Sequence, residues 1–508
     1  MKRNEYIKLN RQSELSEPEL ENLKHSLWEI DCPQITVKSR SSHNPCIFNG
    51  SGFIKQIVNY QLTFKFYSNA QKYSQRNFQL GETIPDEAYY DFTALDDRGR
   101  LWHCERILIN SSKSASGELI IQGSLPKITC EGEIPQEVEC KGSKLEIRVF
   151  DNINIPCNAR TLIRKSLGGV QLSSTLSLNT WKFKCCKLNF LLVKEDKNLL
   201  VINAFSDKED ISEYLRERIL ETLEFILGYP INWATSYKRI GHITEVTLCS
   251  PRQRSSSSRF QPPLLLGGYL IDEAQVFRRL FAKYLQHTIN YDQPLHPLGA
   301  QLNAIYEASK GMFIDAHALT LTVAIESIMS IEFAHLGKLN KKEKETIKEA
   351  LKYIDNWNGN TEIKARIKGS INALFQPRVG DKMKALVEAG AITSMQGKAW
   401  QKLRNTNAHS YQTHNLKHSE FIELIFQINV LFYHLIFYSI GYKGPYMDVS
   451  VLGFPIKQYP SCEIAELRPI ASTSKELRPF GLCAGEFTVP DDFDAPLPEE
   501  ILSAFEGK

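Results

Sequence analysis

At 508 residues the chain is too long for one ordinary hydrophobic core, so two or three domains are expected. Hydrophobic residues make up 42% and charged residues 23%, the balance of a globular protein and not of a disordered or fibrous one. A net charge of +3 excludes a global field that would draw in nucleic acid, so any RNA contact requires a local basic patch.

Eleven cysteines, an odd number with no C-x-x-C pair and with Cys185 and Cys186 adjacent, fit reduced thiols better than a disulfide framework. His103, Cys104, Cys130 and Cys140 are the set that invites a metal, but their spacing matches no common zinc pattern. No metal and no cofactor is expected. The start, MKRNEYIKLN, is charged without an apolar run and does not read as a secretory signal.

Strand signals dominate from the start to about residue 205. Tyr60, Leu62, Phe64 and Phe66 alternate with polar neighbours, as do Leu145, Ile147 and Val149, and then Trp181, Phe183 and Cys185. NFLLVKEDKNLLVINAF reads as two apolar strands around a polar turn. Ile211–Leu227 has helical spacing, and a short β-like piece follows it. Residues 1–250 are therefore expected to form an antiparallel β-rich domain, a sandwich or barrel-like sheet, and a sensor or regulatory role is one reading of it. It carries no nucleophile elbow, P-loop or Rossmann fingerprint. The run SPRQRSSSSRFQPP marks a linker over 251–267.

Beyond residue 268 the period changes from two to about 3.6. Helices are expected around Val276–Ile289, Leu302–Tyr306, Met312–Phe333, Lys341–Trp357, Thr361–Phe375, Asp381–Val387 and Met395–Leu403, closing with Phe421–Ile440. Together 268–445 read as an all-α bundle, and 446–508, punctuated by prolines, as an extended tail. Phe421–Ile440 is long enough for a membrane span. Glu423, Gln427 and His434 put a thin polar stripe on it, which favours a buried helix with one partner-facing edge over lipid. A cytoplasmic protein with no membrane partner is expected.

Two of these helices carry anomalies. In Met312–Phe333, Thr322, Glu326 and Ser330 form one polar stripe on an otherwise apolar helix. A carboxylate among Ala324, Ile325, Ile328 and Met329 is costly to bury without a partner, so Glu326 either finds a cation or reaches solvent at the bundle edge. Arg404 is the attractive candidate, because a carboxylate can fix the guanidinium plane. Arg404 itself opens the run Arg404-Asn405-Thr406-Asn407-Ala408-His409. An arginine matches phosphate oxygens. A histidine exchanges protons near neutrality. An asparagine donates and accepts without charge. On a continuous helix Arg404 and His409 are separated by roughly 140°. Either the helix breaks at 405–407, or the two residues edge opposite sides of a groove.

These residues resemble the motif of HEPN domains, R-x4-6-H with a polar residue after the arginine, and the helix TLTVAIESIM with Glu326 resembles the earlier Glu-bearing helix of that family. A β-rich region ahead of such a bundle is similar to the ApeA type of anti-phage defence protein. The resemblance covers about 270–445. It implies a metal-independent endoribonuclease, an abortive-infection effector, that works as a homodimer or higher homo-oligomer on RNA, with tRNA among the candidate substrates and a phage-derived trigger. It assigns Arg404, Asn405 and His409 to catalysis and Glu326 to orienting Arg404. The alternative is a non-catalytic module that binds RNA or protein, with the β domain as sensor. Lys338, Lys341, Lys342, Lys344, Lys364, Arg366, Lys368, Lys382, Lys384, Lys398 and Lys402 are available to flank an RNA path, or to solvate helix faces.

Overall fold

The computed structural model describes residues 14–42, 45–68, 83–114, 117–135, 137, 141–167, 170–207, 211–250, 260–267, 272–311, 313–408 and 417–460. A short helix, α1 (Glu17–Lys24), precedes eight strands: β1 (Glu29–Ser39), β2 (Ile47–Gln56), β3 (Leu62–Ser68), β4 (Tyr90–Leu95), β5 (Leu101–Ile107), β6 (Ile109–Lys113), β7 (Leu119–Leu125) and β8 (Lys127–Glu133). Then come β9 (Ser143–Val149), β10 (Ala159–Leu167), β11 (Val170–Cys185), β12 (Leu188–Asp196), β13 (Leu199–Ser206), helix α2 (Leu215–Leu227), β14 (Trp233–Ile240) and β15 (Ile243–Cys249). All of these strands join one sheet in the order β10-β11-β12-β13-β9-β14-β15-β8-β5-β4-β1-β2-β3-β7-β6. Every pairing in it among the described residues is antiparallel.

The β region followed by helices is the expected α+β arrangement. The sheet, however, serves two cores. One is built on β1–β8 with Val246 and Leu248 of β15, around Trp28, Phe64, Phe66 and Trp102. The other starts at Leu145, Ile147 and Val149 of β9 and runs without a break through α2 and the C-terminal helices. Trp181 of β11 joins them, with its ring 4.7 Å from Phe277 and 5.9 Å from Phe281, both at steep edge-on angles.

Eight helices follow: α3 (Glu273–Thr288), α4 (Pro297–Lys310), α5 (Ile314–Ile331), α6 (Lys341–Asp355), α7 (Thr361–Ala373), α8 (Val379–Glu388), α9 (Ser394–Ala408) and α10 (His418–Ser439). Their apolar stripes explain the packing. On α3, Val276, Phe277, Leu280, Phe281 and Tyr284 are buried while Arg278 and Arg279 are exposed. The pair α6–α7 has no fully buried side chain. Their apolar residues Ile347, Leu351, Ile354, Ile367 and Ile371 are only half-buried, and Ile363 is exposed. The two helices pack on each other and leave the rest of each surface to water.

The stretch read as a linker is anchored at its described end. Phe260 is buried against the rings of Tyr306, Phe432 and Tyr433, 5.5–5.9 Å away. Residues 251–259 lie outside the described residues. The start of the expected tail is also regular: β16 (Gly444–Met447) pairs antiparallel with β17 (Ile456–Tyr459), and Tyr446, Met447 and Tyr459 are buried. Residues 461–508 lie outside the described residues.

Helices α5 and α10 are long and apolar enough to cross a membrane by length and composition. Inside the protein 72% of the α10 window is buried, so its apolar surface already serves the core, but only 44% of the α5 window is. The difference leaves Leu319, Val323 and Ile331 of α5, and Phe313 just before it, exposed.

Candidate active site

The candidate site lies where α5 meets α9. On α5, Ala318, Leu321, Ala324, Ile325, Ile328 and Met329 face the core. The polar stripe resolves into two kinds of group. The Thr322 hydroxyl donates to the Leu319 carbonyl at 2.7 Å, and the Ser330 hydroxyl to the Glu326 carbonyl at 2.9 Å. Both are satisfied by their own helix. Glu326 is not, and its carboxylate accepts a hydrogen bond from Arg404 Nε in an ion pair.

Helix α9 starts with a reciprocal cap. Thr393 N–H donates to Gln396 Oε1 at 2.9 Å, and Gln396 N–H to Thr393 Oγ1 at 3.2 Å. Ala399, Trp400 and Leu403 are buried, which fixes the helix's rotation and brings Arg404 to the α5 edge. The Arg404 guanidinium lies 5.9 Å from the centre of the Trp400 ring, within range of a cation–π contact. The pair is half open, with the Arg404 side chain 49% and that of Glu326 34% exposed. Among the described residues the two terminal nitrogens of Arg404 have no hydrogen-bond partner. A guanidinium held at Nε with its fork free can donate to two oxygens of one phosphate.

Asn405 is exposed on the next position. The Thr406 hydroxyl donates to the Lys402 carbonyl at 2.9 Å. The backbone stays helical to Ala408, so the break considered at 405–407 does not occur. His409 lies outside the described residues.

On the other side of α9, Lys398 and Lys402 face Glu420, Glu423 and Gln427 of α10 across a groove of about 290 Å³. Two members of the α10 stripe, Glu423 and Gln427, therefore line this groove. His434 does not. It is buried, its Nδ1 lies 3.1 Å from Gln396 Nε2, and the rings of Tyr446 and Tyr459 are each 4.8 Å away. Burial pushes its pKa down to about 4, so it is neutral near pH 7 and serves to pin α9 to α10. Gln396 and Trp400, which position Arg404, were not singled out by sequence reasoning. The Thr393-x-x-Gln396 spacing of a capping box was the available signal for Gln396.

The basic residues divide. Lys382 is buried and donates to the Met329 carbonyl at 2.9 Å, so it leaves the expected RNA path. Lys368 pairs with Asp355 at 2.5 Å and Arg366 with Glu362 at 3.1 Å. Lys364 donates to the carbonyls of Asp355 and Trp357 at 2.5 and 3.1 Å. Lys338, Lys341, Lys342, Lys344, Lys384, Lys398 and Lys402 remain exposed. The metal candidates do not converge: His103 is exposed and Cys104 buried, as successive residues of one strand must be, and Cys140 lies outside the described residues. Among the described residues no group of three or more His, Cys, Asp or Glu is arranged to hold an ion.

Comparison of the chain with protein-family models, curated proteins and solved structures gives no match.

Proposed function

We propose that the helical region is a HEPN-type endoribonuclease that cleaves RNA without a metal, and that the chain is a cytoplasmic effector of bacterial anti-phage defence of the ApeA type. The observation that carries this reading is the Glu326–Arg404 pair. A carboxylate on one apolar helix holds the arginine of the Arg404-Asn405-x-x-x-His409 run and leaves the phosphate-binding end of the guanidinium open.

The residues support a specific reaction. His409 removes the proton of the RNA 2′-hydroxyl. The 2′-oxygen forms a bond to the adjacent phosphorus as the bond from phosphorus to the 5′-oxygen breaks. Arg404 stabilises the extra negative charge on the phosphoryl oxygens. Asn405 positions His409 or a phosphate oxygen, and Glu326 orients Arg404. The leaving 5′-oxygen takes a proton from the His409 of a second copy. The products are a 2′,3′-cyclic phosphate and a 5′-hydroxyl, and DNA, which lacks the attacking hydroxyl, resists cleavage.

A second copy fits the exposed face of α5. Leu319 and Val323 are 48% and 53% exposed on the same helix as Glu326, an apolar surface that soluble proteins usually cover. That same face favours a second reading, a non-catalytic module that binds a protein or RNA. The two are separated by incubating the protein with total RNA in EDTA, wild type beside His409→Ala and Arg404→Ala. Cleavage ending in cyclic phosphate and lost in both variants supports the nuclease. Binding without cleavage, unchanged in His409→Ala, favours the second reading. Cleavage that requires a divalent ion overturns the mechanism.

A further inference from the structure

A cavity of about 780 Å³ opens between the tip of the β11–β12 hairpin, the start of α2 and the outer face of α3. Its volume is that of a small-molecule site. Lys184 and Lys187 reach it from the hairpin, and Arg278, Arg279 and Lys283 from α3. Among the described residues no carboxylate lines it. Arg278, Lys184 and Lys283 have no ion pair among the described residues, and Arg279 donates only to the neutral Lys443 carbonyl, at 3.2 Å.

Two features of this wall are unfavourable for the protein alone. Arg279 and Lys283 are like charges four apart on one helix, which destabilises it by about 0.2–0.5 kcal/mol. The hairpin turns through Cys186 at φ 50° and Lys187 at φ 62°, a left-handed pair usually given to Asn and Gly. Strained backbone of this kind clusters at ligand clamps. Lys184, Arg278, Arg279 and Lys283, with no carboxylate partner among the described residues, together with a strained turn around one cavity, call for an anion.

The remaining lining indicates which anion. Leu188, Leu215 and Ile289 give the cavity an apolar floor, and Gln275, Gln286 and Asn290 offer uncharged donors and acceptors. A free phosphate would use the cations and leave the floor empty. A single-stranded nucleic acid needs successive aromatic platforms along an open track, and among the described residues no aromatic side chain lines this cavity.

We propose that the cavity binds a nucleoside polyphosphate, with its phosphates against Lys184, Arg278, Arg279 and Lys283 and its base over Leu188, Leu215 and Ile289. The site lies apart from the Glu326–Arg404 pair, and its occupancy does not depend on RNA cleavage. The opposite face of α3 carries Phe277 and Phe281, so the ligand would bear on the helix that joins sheet and bundle.

The test is calorimetric titration of the full chain with ATP, GTP, inorganic tripolyphosphate and a short single-stranded RNA. ATP or GTP is expected to bind saturably and more tightly than tripolyphosphate. Arg278→Gln and Lys283→Gln are each expected to weaken binding roughly tenfold or more. Neither variant should lower the melting temperature of the unliganded protein, because Lys283→Gln removes a repulsion and Arg278 has no pair to lose. Cys186, whose thiol pKa is lowered by a hydrogen bond from Cys185, supplies a second readout: nucleotide should slow its alkylation. Absence of saturable binding at millimolar ATP and GTP overturns the proposal. So does tripolyphosphate binding as tightly as nucleotide, RNA displacing it, or an affinity unmoved by both substitutions.

Discussion

Arg404 donates its Nε–H to Glu326 across 78 positions of sequence, joining the two helices that carry the polar anomalies of the bundle. The pair is half exposed, so its worth to folding is small, about 0–1 kcal/mol. Its value is directional: it fixes where the free end of the guanidinium lies. Glu326→Gln is therefore expected to lower RNA cleavage on the order of 10²-fold while the melting temperature barely moves. Glu326→Asp should recover part of the activity. A loss of activity matched by a loss of folding would assign the pair to stability.

The exposed face of α5 makes a prediction about assembly. If a second copy covers Leu319 and Val323, Val323→Asp places an unpaired charge in that contact. Sedimentation should show a shift to monomer, and cleavage should fall with it, although Arg404 and His409 are untouched. A Val323→Asp protein that stays oligomeric and fully active would place the contact elsewhere.

Acid sensitivity is expected from His434. Its pKa is about 4 in the folded protein against 6.5 for the ordinary side chain, so the unfolded chain binds the extra proton first. The stability it contributes is present above pH 6.5 and is lost as pH falls towards 4. The loss is on the order of 3 kcal/mol over that interval. Denaturant unfolding of wild type and His434→Leu at several pH values reads this as a difference in slope. Parallel profiles would show that His434 is not the sensitive group.

Arg218 and Glu221 make a buried pair on α2, with Arg218 Nη1 2.7 Å from Glu221 Oε2. Tyr284 of α3 donates to the same carboxylate at 2.9 Å, and Arg218 Nη2 reaches the carbonyls of Gln293 and Pro294 at 2.9 and 2.7 Å. This network ties α2 to α3 and to the loop between α3 and α4. Arg218→Met strands a buried carboxylate and should cost about 3–5 kcal/mol in unfolding free energy. Adding Glu221→Gln should return much of it. Equal losses in the single and double variants would argue against coupling.

Local pattern accounts for much of what was legible in the sequence. The alternation of Leu145, Ile147 and Val149 is the buried face of β9, and the 3.6-residue period beyond 268 is a run of helices. Glu326 was legible because a carboxylate on an apolar helix must find a partner or solvent. What escaped were choices made by distant chain. β9 lies between β13 and β14, and nothing in its own residues shows that. Ser, Arg and Pro around 250–263 signal a loop, but they do not say that Phe260 drops into an aromatic pocket. The lysines read alike, yet Lys382 finds a carbonyl acceptor inside the bundle while its neighbour Lys384 stays in water.

The Trp181 contact has a consequence for dissecting the chain. Phe277 and Phe281 pack on the rings of Trp181, Phe183 and Phe190 from β11 and β12, so a fragment beginning at Glu273 would carry a raw aromatic scar. Such a fragment would clump through that scar, and its aggregation would be mistaken for native assembly. The weaker seam crosses the sheet between β14 and β15, because Val246 and Leu248 of β15 belong to the core of β1–β8 while Trp233 and Ile240 of β14 pack against the other. Hydrogen exchange should find two blocks of protection divided along that line, with β9–β14 exchanging in step with the helices and β15 in step with β1–β8.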